Sequence, residues 1–439
     1  MDYKTSEVLE FIEENDVKFI KLAFCDIFGN QKNITIMPTE LKRAFYEGVS
    51  FDASAVTGFM KVEESDLLLF PEANTMYLLP WRPQHGRVVR FFCNIKHPDG
   101  RDFEGDCRNI LKEVIKDSKQ KGFTCKIGCE SEFYLFEQDE FGNPTMIPYD
   151  KGTYCDIYPN DRCENIRRDI CLLLEEMGIK TTSSHHEQGP GQNEIDYEYS
   201  NALSAADNLI SFRSLVKTKA SENGLFASFM PRPLETECGS GLHINISLYK
   251  DNKNIFEDKN DKQYKYAESF ISGILNRIEE ITLFLNSSTN SYKRLGKDKA
   301  PKYITWSKEN RSQLIRIPAS KGDRCRMELR SPDSSCNPYI AFALLIKAGI
   351  EGIEKNLQLC NPHNINLFNA NDNEVKNLKT LPNNLNEAIN NALNSEFIKT
   401  VLPQKTINNY IDDKKQEWDI YNSITDKFKA EKELYFEKF

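Results

Sequence analysis

Residues 126–136 read KIGCESEFYLF. The run Phe133-Tyr134-Leu135-Phe136 has the character of a buried strand, and a strand sends residues two apart to the same face. Glu130 and Glu132 therefore stand side by side against apolar surroundings. Burying two like charges together is costly unless a cation compensates them. The stretch predicts a strand that carries part of a metal site.

Other segments repeat the device. In HHEQGPGQNEID (185–196), Glu187 and Glu194 flank a Gly-Pro-Gly turn, and a hairpin there would bring both carboxylates back toward one point. GSGLHINISL (239–248) alternates, with Leu242, Ile244, Ile246 and Leu248 on one face and His243, Asn245 and Ser247 on the other. CRMELRS (325–331) sets Arg326, Glu328 and Arg330 opposite Cys325, Met327 and Leu329. Such strands around a common centre make a polar cavity. Glu130, Glu132, Glu187, Glu194, His243 and Glu328 form a hard, oxygen-rich ligand set that suits two Mg²⁺ or Mn²⁺ ions better than zinc or copper. Arg294, Arg311, Arg316, Arg326 and Arg330 add guanidinium forks suited to carboxylate and phosphate. Divalent metals with arginines suggest phosphoryl transfer from a nucleotide. Neither a GxxxxGK[ST] loop nor a strand-linked GxGxxG is present, so the nucleotide is held some other way.

The rest of the chain sets bounds. A length of 439 residues allows a large core and two or three domains. The net charge of −9 argues against nucleic-acid binding by general electrostatics. No run approaches a membrane span, and MDYKTSEVLEFIEEN lacks a signal-peptide core, so a cytoplasmic protein without membrane association is expected. The twelve cysteines contain no CxxC pair and read as reduced, mostly buried thiols.

VKFIKLAFCDIFGNQKNITI (17–36) predicts two strands joined by a turn at Asp26–Asn30, followed by a helix in PTELKRAFYEG (38–48) and strands near 66–70, 76–79 and 87–94. HPDGRD (97–102) is the candidate boundary between a small unit, 1–103, and a larger one, 104–439. Helices are expected near 105–121, 161–178, 203–222, 264–287 and 337–359, and beyond 404. The Asn-rich segment 369–395 reads as a solvated connection with short helices.

Taken in order, VKFIKLAFCDIFGNQKN (17–33), FDASAVTGF (51–59), EESDLLLFP (63–71), GCESEFYLF (128–136), HHEQGPGQNEID, FMPRP (229–233), GSGLHINISL, NSYKRL (290–295), NRSQLIRIP (310–318), RMELRSPD (326–333) and NPYIAFA (337–343) resemble glutamine synthetase of the bacterial type I form over nearly the whole chain. The resemblance implies an α+β fold. An N-terminal β-grasp domain would precede a catalytic domain whose curved antiparallel sheet, a bifunnel, is surrounded by helices. It implies double-ringed dodecamers with active sites between neighbouring subunits. The implied reaction joins ammonium to the γ-carboxylate of glutamate through γ-glutamyl phosphate, with ATP as co-substrate. By resemblance, Glu132, Glu187 and Glu194 hold one metal, and Glu130, His243 and Glu328 the other. Arg294, Arg330 and Gly239 meet glutamate, and Arg311 and Arg316 meet phosphate. Asn245, Ser247 and Arg326 lie on the nucleotide side, and Asp52 reaches ammonium from a neighbour.

Four positions depart from the family pattern. Lys299, in LGKDKAPKYITWS (295–307), stands where a flap glutamate is expected, with Asp298 beside it. Cys238 replaces an asparagine, and Thr182 a nucleotide-contacting glutamate. Phe368 takes the place of the adenylylated tyrosine, which argues against that control. The altered flap leaves two further readings beside glutamine synthesis: a γ-glutamyl ligase for another amine, and a low-activity regulatory paralogue.

Overall fold

The computed structural model describes residues 4–82, 85–258 and 262–439. Two sheets organise the chain. The first contains β1 (Val17–Cys25), β2 (Gln31–Ile36), β3 (Val49–Asp52), β4 (Asp66–Pro71), β5 (Tyr77–Leu78) and β6 (Arg87–Lys96). Its order is β2-β1-β6-β4-β3, with β5 on β6, and β1 runs parallel to β6. The β1–β2 hairpin forms because the Asp26 carboxylate accepts from the backbone of Phe28 and Asn30, while Gly29 takes a positive φ of 84°. Helices α1 (Thr5–Glu14) and α2 (Pro38–Glu47) accompany this sheet, and α2 starts on Pro38 and stops at Gly48.

The second sheet holds β7 (Thr124–Gln138), β8 (Pro144–Pro148), β9 (Thr181–His186), β10 (Gln192–Tyr197), β11 (Ser200–Asn201), β12 (Leu225–Ser228), β13 (Leu242–Lys250), β14 (Lys253–Asn254), β15 (Trp306–Lys308), β16 (Ile315–Ile317) and β17 (Met327–Leu329). Its main path is β15-β16-β17-β13-β7-β10-β9, antiparallel except for the β15–β16 pair. This is the α+β arrangement of a small sheet followed by a large curled one. Helices α3 (Cys107–Gln120), α4 (Glu164–Glu176), α5 (Ala202–Glu222), α6 (Tyr264–Leu285), α7 (Ser291–Arg294) and α8 (Pro338–Glu354) accompany the second sheet. The C-terminal elements are α9 (Asp372–Val375), α10 (Leu385–Leu393), α11 (Glu396–Lys399), α12 (Gln404–Ser423) and α13 (Lys427–Tyr435).

Three expectations need correction. The helix expected at 161–178 is Glu164–Glu176, because Asp161 is spent on Arg167 and on the backbone of Cys163. The helix expected at 337–359 ends at Glu354, where the apolar pattern that packs it on α6 runs out. The segment 369–395 is not a solvated connection throughout: α10 buries Leu385, Ala388, Ile389 and Ala392, spaced i, i+3, i+4 and i+7, against α6 and α12.

No helix among the described residues is long and apolar enough to cross a membrane. All twelve cysteines are free, eight of them buried.

Candidate active site

The register of the large sheet sets the site. Glu132 on β7 lies opposite Glu194 on β10, which lies opposite His185 on β9. One step along, Glu130 faces Asp196 on one side and His243 on the other. On the far flank, Glu328 of β17 pairs with Asn245 of β13 and with Arg316 of β16. Alternation puts these polar residues on the same side. Glu130, Glu132, His185, Glu194, Asp196, His243 and Arg316 line a cavity of about 610 Å³ with Gly239, Arg294, Lys299, Arg311, Arg326 and Arg330, and Glu328 is buried against Arg316 and Arg330 of its wall.

Two acidic groups lie side by side along the sheet, the first on β7, β13 and β17 and the second on the β9–β10 hairpin. Glu130, His243 and Glu328 come close enough to share one cation. His243 Nδ1 lies 3.1 Å from Glu130 Oε2 and 3.7 Å from Glu328 Oε1. Glu328 is fully buried, bonds Arg316 at 2.5 Å and is paired with Arg330. Burial opposes its ionisation, but Arg330, His243 and Arg316 outweigh it and hold the carboxyl below its usual range. Glu130 is held low in the same way, against burial, by His243, Asn245 and Arg326.

The second acidic group joins Glu187 and Glu194 with His185, whose Nε2 is 3.1 Å from Glu187. Glu132, expected as the third ligand, lies opposite Glu194 and accepts through Oε2 from the Gly241 backbone at 2.8 Å and from Gln192 at 3.1 Å. Burial drives the Glu194 carboxyl well above its normal range, and Asp196, Glu132, Glu130 and Glu187 add to the effect. Burial, with Glu130, also pushes Asp196 up to about 6. Concentrated carboxylates with little local counter-charge and oxygen-rich geometry fit a Mg²⁺ or Mn²⁺ ion. The residues present therefore fit the expected metals.

The arginines line the same cavity, three of them beside the first acidic group. Arg294 is buried and fixed by the carbonyls of Ser331 and Pro332 at 2.7 and 3.2 Å. Gly239 and Gly241 have no Cβ because one would lie 2.6 Å from Pro231 O and 2.5 Å from Arg294 Nη2, respectively. Arg311 stands exposed at the mouth. Asn245 accepts from Arg326 at 2.8 Å and donates to Glu130 at 2.9 Å. Asn245 and Ser247 open on a second cavity of about 650 Å³, which also contains Thr182, Tyr199 and Arg324. Glu130, Asp196 and Arg326 line both spaces and join them.

In the flap segment, Lys299 lines the main cavity and its Nζ lies 5.3 Å from the centre of the Tyr154 ring. Asp298, also on the cavity wall, has a φ of +49° and bonds Arg232 at 3.0 Å. Cys238 donates to Gln188 at 3.4 Å. Asp52 is not brought to the cavity; it is exposed at the end of β3 and caps the next turn through Ser54. Sequence reasoning missed His185, Gln192, Asp196, Tyr154 and Arg232. The alternation that paired Glu130 with Glu132 pairs Glu194 with Asp196 and Glu187 with His185, so two of these were accessible.

Comparison with known proteins agrees with this geometry. Residues 104–433 match the family described as glutamine synthetase, catalytic domain, and residues 16–98 match glutamine synthetase, beta-Grasp domain. The chain is 45% identical over 426 residues to glutamine synthetase of Clostridium saccharobutylicum, covering 96% of each. It is 44% identical over 423 residues to that of Methanosarcina mazei, covering 95% of each. A solved GmaS–ADP complex superposes with a TM-score of 0.87 at 26% identity, covering 99% of both chains. The chain belongs to the glutamine synthetase family.

Proposed function

We propose that the chain ligates ammonia to the γ-carboxylate of L-glutamate at the cost of ATP, giving glutamine, ADP and phosphate. One observation carries the reading: a single site brings two acidic clusters together with five arginines. Full-length relatives named glutamine synthetase favour ammonia over another amine as nucleophile.

Each region of the cavity then has a task. Arg294 and Arg330 hold the glutamate carboxylates, and Gly239 offers its backbone at close approach. Asn245, Ser247 and Arg326 hold the nucleotide along the second cavity, and the similar GmaS chain is known as an ADP complex. Arg311 and Arg316 face the transferring phosphoryl group, where fixed guanidinium charge stabilises the spreading negative charge. Glu132, Glu187 and Glu194 would hold one Mg²⁺ or Mn²⁺, and Glu130, His243 and Glu328 another. When bound, these ions supply charge neutralisation for the phosphates. Phosphorylation gives the γ-carbonyl carbon a phosphate leaving group, and ammonia, losing a proton, forms the C–N bond as the C–O bond to phosphate breaks. The flap must exclude water during that step, or the acyl phosphate is lost to hydrolysis. Lys299 and Asp298 face the cavity where ammonium would enter.

Residues 1–103 and 104–439 are taken as the two domains. Asp52 lies outside its own cavity, so we infer that a neighbouring copy supplies it in a homo-oligomer, a dodecamer of two hexameric rings. The test is phosphate release by the purified protein with ATP, Mg²⁺ or Mn²⁺ and glutamate. Stimulation by ammonium and not by ethylamine, isopropylamine or putrescine is expected. Stimulation by one of those amines instead would overturn the choice of nucleophile, and no release with any amine would overturn the ligase reading.

A further inference from the structure

Behind the hairpin that carries Glu187 and Glu194 lies a buried polar cluster that the reaction does not use. His186, on the opposite face of β9 from His185, is completely buried. Its Nδ1 is 2.6 Å from the backbone carbonyl of Glu187 and its Nε2 is 2.9 Å from Asp150 Oδ1. Both partners are acceptors, so a neutral imidazole, with one N–H, satisfies only one of them. Asp150 also accepts the backbone N–H groups of Gly191 at 2.8 Å, Gly152 at 3.3 Å and Arg162 at 3.0 Å, and the Cys163 thiol at 3.2 Å. A carboxylate taking that many donors is ionised. The pair is therefore imidazolium and carboxylate.

A second buried ion pair reaches the same turn from the other side. Arg167 grips Asp161 through Nη1 and Nη2, at 3.1 and 2.5 Å. Its Nη1 also donates to Asn193 Oδ1 at 2.6 Å, and Asn193 Nδ2 donates to the Gly191 carbonyl at 2.9 Å. Gly191 thus has its N–H fixed by one ion pair, while its C=O accepts from Asn193, which the other pair holds, and from the Leu135 N–H at 2.8 Å. Its φ is +68°, and a Cβ there would lie 2.7 Å from Leu135 O. Asp150, Asp161 and Cys163 are near enough to one another to hold a cation. Their charge, however, is already balanced by His186 and Arg167.

We propose that the His186–Asp150 and Arg167–Asp161 pairs are positioning residues that clamp the Gly191 peptide. The clamp fixes the separation of Glu187 and Glu194, and with it the divalent-cation affinity of that carboxylate group. The inference rests on the cation reading above but not on which nucleophile the enzyme uses. Groups that orient metal ligands from behind change affinity by about 10- to 100-fold when removed.

Mn²⁺ titration calorimetry of the full-length protein, without ATP or glutamate, tests it. Glu194→Gln first identifies the class of sites that depends on the hairpin. Asp150→Asn is expected to weaken that class about 10-fold or more while leaving the other class unchanged. Unchanged affinity in folded Asp150→Asn, or equal weakening of both classes, overturns the proposal. Should Asp150→Asn not fold, Arg167→Lys keeps the charge but not the fork across Asp161 and Asn193. Selective weakening of the hairpin class in that variant supports the clamp, and wild-type affinity overturns it. If Glu194→Gln removes no class at all, the cation reading fails first, and the clamp with it.

Discussion

The two acidic groups of the site differ in how their charge is balanced. Glu328 and Glu130 have partners of their own: Arg316 and Arg330 on the first, Arg326 beside the second, and His243 close to both. Glu194, by contrast, has Asp196, Glu132, Glu130 and Glu187 around it. The protein chain completes the first group electrostatically, whereas the second group stays out of balance until something positive arrives. The same residue type should therefore act with opposite sign on stability in the two groups.

Substitution by glutamine, which keeps shape and removes charge, breaks the comparison most directly. Glu328→Gln leaves the buried Arg330 and the half-buried Arg316 guanidinium groups without their carboxylate. Opening a buried pair from one side costs about 3–5 kcal/mol, so a large fall in the denaturant midpoint of metal-free protein is expected. Glu194→Gln should raise that midpoint, because it removes a charge that the fold disfavours, while removing Mn²⁺ binding at the hairpin. A loss of metal-free stability in both variants would sink the asymmetry.

The next largest effect depends on pH. Asp196 binds its proton more tightly in the folded protein, at about 6, than in the unfolded chain, near 3.8. Folding thus takes up a proton between those values, and the resulting stability falls as pH rises through about 4–6. The full shift corresponds to about 3 kcal/mol. Asp150 and Glu351 are held low and act in the opposite direction at lower pH, so the difference between wild type and Asp196→Asn isolates the effect. In metal-free protein, Asp196→Asn should gain stability over wild type between pH 4 and 7. Mn²⁺ should stabilise wild type more at pH 7.5 than at 5.5, since its ligands must lose protons to bind. A pH-independent difference between the two proteins would remove Asp196 from the account.

Local patterns carried much of this architecture. The ExE spacing gave the direction of Glu130 and Glu132, Gly-Pro-Gly gave the β9–β10 hairpin, and strict alternation gave both faces of β13. Long-range pairing was not legible. Nothing near HHE announces that His186 meets Asp150, thirty-six positions earlier, or that Arg232 in FMPRP meets Asp298 in the flap. Nor does the local sequence show that Gly241 and Gln192 orient Glu132 through hydrogen bonds to its Oε2. The burial of α10 was obscured by its asparagines, although Leu385, Ala388, Ile389 and Ala392 carry the helical stripe.

The smallest expected effect concerns the flap, where Lys299 stands at the position expected for a glutamate. Lys299 puts positive charge on the cavity wall, but its ammonium is drawn over the Tyr154 ring, and Asp298 beside it is paired with Arg232. The ring contact shares the lysine charge at the proposed ammonium entrance, whereas the Arg232 pair takes up part of the charge of Asp298. A bare lysine would repel ammonium by about 1–4 kcal/mol at close range; with its charge shared with the ring, the lower end is expected. Lys299→Glu should then raise ammonium-dependent turnover by no more than about tenfold, which is 1.4 kcal/mol, mainly through a lower KM for ammonium. Tyr154→Leu, which frees the lysine from its ring, should move that KM the other way. Unchanged or lower turnover in Lys299→Glu would mean that Asp298 already provides the flap charge, and Asp298→Asn would then show the larger loss.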